Sequence, residues 1–210
     1  MTRRQEHRKA RTEAIELGAL RLVRSDGLDN LTMPRLAKEV GGAVGALYRY
    51  FASKEELLVA LQLRALDAFD RLLTEQLAAR AEAPAVDQLR TAMHAWGRFA
   101  EVEPELHELL SLSTFHPRTL LDDEGAAKVA VRFAPIVGRC VQLLQGAVAE
   151  GSLRPGDPEA RVWILWGAVS GIGQLRKQDH RRSEHLGADA LLEQALDTLL
   201  AGWGSEPLHA

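Results

Sequence analysis

Residues 31–58, LTMPRLAKEVGGAVGALYRYFASKEELL, leave this part of the chain few ways to fold. Two short helices joined by a tight turn need three things: a small residue where the helices meet, a residue that tolerates positive φ in the turn, and an apolar residue that docks the second helix. Ala37, Gly41 and Leu47 stand at those points. Thr32 is placed to cap the first helix, with Pro34 inside the first turn where its missing N–H is harmless. The spacing predicts a second helix over residues 44–50, too short to be stable alone. Its neighbours must hold it, which leaves its outer face free for a groove.

That face carries Val44, Gly45, Tyr48, Arg49 and Tyr50, and Lys54 opens the following helix. Lysine ammonium and tyrosine hydroxyl groups bind phosphate oxygens, and small residues let the helix backbone sink into a major groove. Arg49 has the reach for a guanine edge or a phosphate. Taken alone, YRYF has a second reading, with Tyr48 and Tyr50 as packing aromatics and Arg49 as a solvated charge.

Charge separates two regions. The first 54 residues hold eleven Lys or Arg against six Asp or Glu, while the remaining 156 hold fifteen against twenty-three. A basic head steers towards DNA and an acidic body limits non-specific contact, a contrast hidden in the overall net charge of −3. Arg3, Arg4, Arg8, Lys9 and Arg11 form a basic run before the first periodic apolar residue. Such an arm enters a minor groove, follows the phosphate backbone, or stays a frayed, solvated terminus.

The rest reads as helical: alternating β patterns are absent and apolar residues recur every three or four positions. A helix is expected from Lys54 to about Ala83, ended by Pro84, then one through Val86, Leu89, Met93, Trp96 and Ala100, and a short one from Pro104. A loop over residues 113–124 leads to a helix over 125–150, in which Pro135 should introduce a kink or a break. Asp157-Pro158 provides a cap and a first-turn proline for a helix that carries no charge from Val162 to Leu175. A last helix over 188–203 places Leu192, Ala195, Leu196, Leu199 and Trp203 on a stripe. These last two helices either complete a monomer core or form half of an intermolecular four-helix bundle. Trp163, Gly167, Ser170, Gly171, Leu192, Leu196, Leu199 and Trp203 are the candidate interface. Trp96, Phe99, Phe115, His116, Phe133 and Trp166 are candidates for lining an apolar pocket, with ordinary core packing as the competing reading.

Several classes find no support. Cys140 is the single cysteine, so there is neither an intrachain disulfide nor a multi-cysteine metal site. No HExxH, GxSxG or phosphate-binding glycine loop is present, and no cofactor is implied. His180, Glu184 and His185 form the nearest approach to a metal cluster, but Arg181 and Arg182 beside them would repel a cation. The start MTRRQEHRKA lacks an apolar signal core and no window reaches membrane-span length, so a cytoplasmic protein is expected.

The motif order resembles the TetR family of one-component transcriptional regulators. The residues that carry the resemblance are Ile15 to Val23, Gly27-Leu28, Thr32 to Ala37, Gly41 to Ala43, Gly45 to Tyr48, Tyr50-Phe51 and Lys54 to Leu57. The resemblance implies an all-α protein. Residues 1–53 would form a three-helix helix-turn-helix DNA-binding domain, and residues 54–210 a helical effector-binding and dimerisation domain. It further implies a homodimer, double-stranded operator DNA as partner, a small hydrophobic or aromatic effector, and a repressor without enzymatic activity. The implied DNA-contacting residues are Arg3, Arg4, Thr32, Arg35, Ala43, Val44, Gly45, Tyr48, Arg49, Tyr50 and Lys54. One departure stands out: where such proteins usually have Val-Ser in the turn, this chain has Gly42-Ala43. A capping serine is therefore missing, a change that typically costs about 1 kcal/mol, unless Gly42 takes the cap position by a one-residue shift.

Overall fold

The first helix is fixed at both ends by its own sequence. In a computed structural model that describes residues 2–115, 120–176, 183 and 186–204, without the side chains of 113–115, α1 spans Arg3–Asp26. Gln5 Oε1 accepts from the Thr2 N–H at 2.8 Å, satisfying one orphan donor at its start. At the other end Gly27, at φ 82°, sends its N–H to the Val23 carbonyl. Ile15, Ala19, Leu20 and Val23 share one face and are buried. Gly18 lies on the same side, where a Cβ would sit 2.4 Å from Val40 Cγ1, so only glycine allows the end of the next helix this close.

A 3-10 turn over Leu28–Asn30 leads to α2, Met33–Glu39. Thr32 caps α2 through its hydroxyl, which accepts from the Arg35 N–H, and Pro34 occupies the first turn as expected. Gly41 takes φ 63°, and the chain reverses into α3, Val44–Leu47. The predicted helix over 44–50 is shorter in the structure: after Leu47 the chain forms turns, with the N–H groups of Tyr50 and Phe51 both donating to the Leu47 carbonyl. Leu47 and Phe51 are buried and anchor this segment. Ser53 and Glu56 then cap α4, Lys54–Ala78: Ser53 Oγ accepts from the Glu56 N–H, and Glu56 accepts from the Ala52 N–H.

Five further helices follow: α5 (Ala85–Val102), α6 (Pro104–Phe115), α7 (Asp123–Ala149), α8 (Pro158–Leu175) and α9 (Ala188–Gly202). Among the described residues there is no strand, and no helix is long and apolar enough to cross a membrane. α4 stops five residues short of the expected Ala83, in a turn before Pro84. The helix before residue 116 absorbs the start of the expected 113–124 loop. α7 runs unbroken through Pro135. The hydrogen bond that proline removes is the one to the Val131 carbonyl, and Val131 and Pro135 both face solvent, where water can satisfy that oxygen. Asp157 caps α8 through one carboxylate oxygen that accepts from the Glu159 and Ala160 N–H groups at 3.0 and 3.1 Å.

The described helices pack as two compact units. One comprises Met1–Ala68 and Ala100–Phe133, and the other Phe69–Phe99 and Ala134–Ala210. In the first, α1 packs on α2 and α6 around Ile15, Leu36, Leu47, Leu57, Leu61 and Leu109. In the second, α8 packs on α9, and Phe69, Leu89, Phe99, Leu144, Leu165 and Leu196 are buried. The expected boundary after residue 53 falls inside the first unit, and α4, α5 and α7 each contribute residues to both.

Candidate nucleic-acid interface

α3 owes its position to one buried side chain and its availability to the small residues around it. Leu47 is 1% exposed, whereas Ala43, Gly45 and Arg49 face solvent and Tyr48 is 49% exposed. A Cβ at Gly45 would meet nothing within 4 Å, so the space above the helix is open. Val44, Tyr50 and Lys54 are half-buried. Ala43 occupies the cap position of α3 and offers no side-chain hydrogen bond. Gly42 does not take over the cap by a one-residue shift: Ala43, with extended backbone at φ −84° and ψ 145°, is the cap residue.

Pairing sorts the cations of this unit. Arg21 pairs with Glu39 at 2.8 Å, Arg24 with Glu105 at 2.5 Å and Arg64 with Glu16 at 2.6 Å. Arg11 donates to the Val40 carbonyl at 3.3 Å. Arg35, implied as a DNA contact, is engaged by Asp26 and also donates to the Asn30 carbonyl at 3.4 Å. Its head is therefore held against the 3-10 turn. Thr32, the other implied contact on α2, is exposed but commits its hydroxyl to the helix cap. By contrast the side chains of Arg3, Arg4, Arg8, Lys38, Arg49 and Lys54 have no ion pair or hydrogen-bonding partner among the described residues.

The basic run at the start of the chain is not a loose arm. It forms the first turns of α1, because the Thr2–Gln5 cap starts the helix at Arg3. Helical spacing puts Arg4, His7 and Arg8 on one face. With Arg49 and Tyr50 they line a shallow depression of about 260 Å³. Sequence reasoning missed His7 and left Arg8 out of the contact set. The i, i+3, i+4 spacing would have found both, had the run been read as helix.

In the second unit, the aromatic candidates fall into a tight cluster. Trp96 stands edge-on to Phe69 at 5.3 Å and to Trp166 at 4.8 Å, and Phe99 lies 5.4 Å from Phe69. Trp96 and Phe99 are buried and Trp166 half-buried. Phe133 belongs to the first unit, while the side chain of Phe115 and all of His116 lie outside the described residues. Phe69, from α4, completes the cluster. Four residues beyond Trp166, the buried Ser170 hydroxyl has no hydrogen-bond partner.

The expected interface stripe divides in two. Leu192, Leu196 and Ser170 are at most 5% exposed and are already spent on the protomer's own core, so they cannot present a surface. Trp163 at 53% and Ile164 at 49% face solvent on α8, together with Gly167 and Gly171, while Leu199 on α9 and Trp203 at its C-terminal cap are half-buried. The guanidinium of Arg161 lies 5.1 Å from the Trp203 ring centroid and donates to the Arg154 carbonyl at 2.8 Å.

Other chemistry is sparse. Burial pushes the Cys140 thiol up to about 11, only partly offset by the positive charge of Arg139. Such a thiol is a poor nucleophile. Among the described residues no group of His, Cys, Asp and Glu could hold a metal ion, and His180, Glu184 and His185 lie outside them.

Comparison with known proteins matches both regions. Residues 17–61 fit the family model for bacterial regulatory proteins of the tetR family. Residues 89–199, more than half of the chain, fit that for the C-terminal domain of tetracyclin repressor-like proteins. The nucleoid occlusion factor SlmA of Actinobacillus pleuropneumoniae is 32% identical over 122 residues, 57% of this chain and 57% of SlmA. An HTH-type transcriptional regulator of Staphylococcus aureus strain USA300 is 39% identical over 61 residues, 29% of this chain and 33% of that protein. The chain thus spans little more than half the length of the first relative and a third of the second. In fold, it is similar to AibR, solved with isovaleryl coenzyme A and operator DNA. The TM-score is 0.68 at 24% identity, covering 93% of this chain and 98% of AibR.

Proposed function

Because the chain belongs to the TetR family of bacterial regulatory proteins, we propose that it is a homodimeric, ligand-responsive transcriptional repressor that leaves a palindromic operator when a small molecule binds. The observation that carries this reading is the set of unpaired cations, Arg4, Arg8, Arg49 and Lys54, around a short helix whose outer face is small or polar. Cations without internal partners are free to replace the counterions of a phosphate backbone. Tyr48, Gly45 and Ala43 allow the helix to approach base edges closely. Both family models describe regulators and not enzymes. An operator-DNA target supports the reading of a cytoplasmic protein.

Two copies are needed to read two half-sites, and the exposed Ile164, Gly167 and Gly171 of α8, beside Trp163, are the surface through which we pair them. The small residues permit close helix approach. The effector is assigned to the Phe69, Trp96, Phe99 and Trp166 cluster, with the unpartnered Ser170 hydroxyl as its polar anchor. A hydrophobic or aromatic body with one polar group suits that chemistry. α4 is the lever in this scheme. Lys54 opens it four residues after Tyr50, and Phe69, further along the same helix, belongs to the aromatic cluster. A coupling of about 1 to 3 kcal/mol between the two sites changes operator affinity roughly five- to 150-fold.

One observation favours a second reading. The missing side-chain cap at Ala43 leaves α3 less firmly ordered, which suits a module that binds DNA without reading its sequence. Selection of bound duplexes from a random pool separates the two. The repressor reading expects a palindromic winner bound at least about a thousandfold better than a scrambled duplex. Binding without enrichment selects the second reading, and absence of any binding rejects both.

A further inference from the structure

The depression between α1 and the turn after α3 has the composition of an anion site. Arg4, His7 and Arg8 reach it from α1, and Arg49 and Tyr50 from the turn. No carboxylate lines it, and the three arginines have no partner among the described residues. Clustered guanidinium groups repel one another until an anion enters, and their planar forks match the oxygens of a phosphate. The tyrosine hydroxyl adds one more donor. The shallow form of the depression suits a phosphate carried on a polymer backbone better than an enclosed small ion.

His7 gives this site a property the arginines cannot. Histidine is the side chain that changes charge between about pH 5 and 8, and only its protonated form offers two N–H donors and a positive charge. The groups facing His7 are Arg4, Arg8, Arg49 and Tyr50, and its other near neighbours along α1 are Arg3, Glu6 and Arg11. A phosphate seated among these groups pairs with the charged form of the ring, which alone offers two N–H donors. We infer that the depression lined by Arg4, His7, Arg8, Arg49 and Tyr50 binds one backbone phosphate of duplex DNA, with His7 protonated, so that DNA binding takes up a proton from solvent at each protomer. The inference rests on the DNA-binding reading and adds to it a contact residue and a pH dependence.

A phosphate contact is independent of sequence, so a mixed-sequence duplex of about 30 base pairs is a sufficient probe. Its affinity is measured by fluorescence anisotropy at about 50 mM salt, at pH 6 and pH 8, for the full chain and for His7→Gln, Arg8→Ala and His94→Gln. The wild type is expected to bind about fivefold tighter at pH 6 than His7→Gln does, with the two nearly equal at pH 8. Arg8→Ala should weaken binding at both pH values, and His94→Gln should behave as wild type. His7 is exposed, and a thermal melt of His7→Gln indistinguishable from wild type excludes a folding defect. Equal pH ratios for wild type and His7→Gln overturn the inference while leaving DNA binding intact. A wild type that binds the duplex at neither pH overturns the DNA-binding reading itself.

Discussion

Arginine is used in opposite ways at the α3 end of the first unit and along the helices of the second. In the second unit Arg90 on α5 pairs with Asp197 on α9 at 2.5 Å, Arg139 on α7 pairs with Asp70 on α4, and Arg176 pairs with Asp189 on α9 at 2.5 Å. Around α3, Arg4, Arg8 and Arg49 line a depression with no carboxylate among the described residues that line it. A paired guanidinium ties elements together and has little attraction left for a phosphate. Three adjacent unpaired ones contribute nothing to the fold and repel each other, so their placement makes physical sense only with an anionic partner.

The contrast breaks first, and by the largest amount, at the aromatic cluster. Phe99 is fully buried against Phe69 and Trp96. Phe99→Ala should cost about 3–5 kcal/mol in urea denaturation, with duplex affinity unchanged while the protein is folded. A cost below about 1 kcal/mol would mean that the cluster is loosely packed.

Cys140 probes the same unit through its burial. Its thiol is raised from 9.0 to about 11. The folded form therefore holds the proton where the unfolded chain releases it, and the contribution to stability is full below pH 9 and falls as pH rises to about 11. Compared with Cys140→Ala, the wild type should lose roughly 2 kcal/mol across that window. Parallel curves would mean that Cys140 is exposed.

The interface side is sharpened by Arg49→Ala, which should weaken duplex binding about tenfold with stability changed by less than about 0.5 kcal/mol. Arg90→Ala should leave duplex affinity unchanged. A loss confined to one base position would make Arg49 a base reader, and a uniform loss a phosphate contact. The smallest effect is expected from Ala43→Ser, which restores a cap at the start of α3 and should tighten duplex binding by less than about 1 kcal/mol. An affinity unchanged or weaker would mean that the cap is not what limits α3.

The elements that sequence made legible are those with local causes. Thr32, Pro34, Gly41 and Leu47 each mark a single backbone event, and each sits where its chemistry requires. Asp157-Pro158 likewise starts α8. What escaped depended on contacts between distant residues. Nothing local says that Arg35 will be claimed by Asp26, or that Leu192 and Leu196 will be used up within the protomer. The basic run was misjudged for a different reason: charge density suggested a loose arm, while a two-residue cap at Thr2 and Gln5 made it helix and so brought His7 and Arg8 beside Arg49.

The claim that the unpaired arginines form a DNA surface is tested most directly by the salt dependence of duplex affinity for wild type and for the triple variant Arg4→Ala, Arg8→Ala, Arg49→Ala. Each lost phosphate contact should reduce the slope of log affinity against log salt by about 0.9, so a reduction of between about 2 and 3 is expected. An unchanged slope, or an equal reduction on replacing the paired Arg90, Arg139 and Arg176 by alanine, would contradict the account.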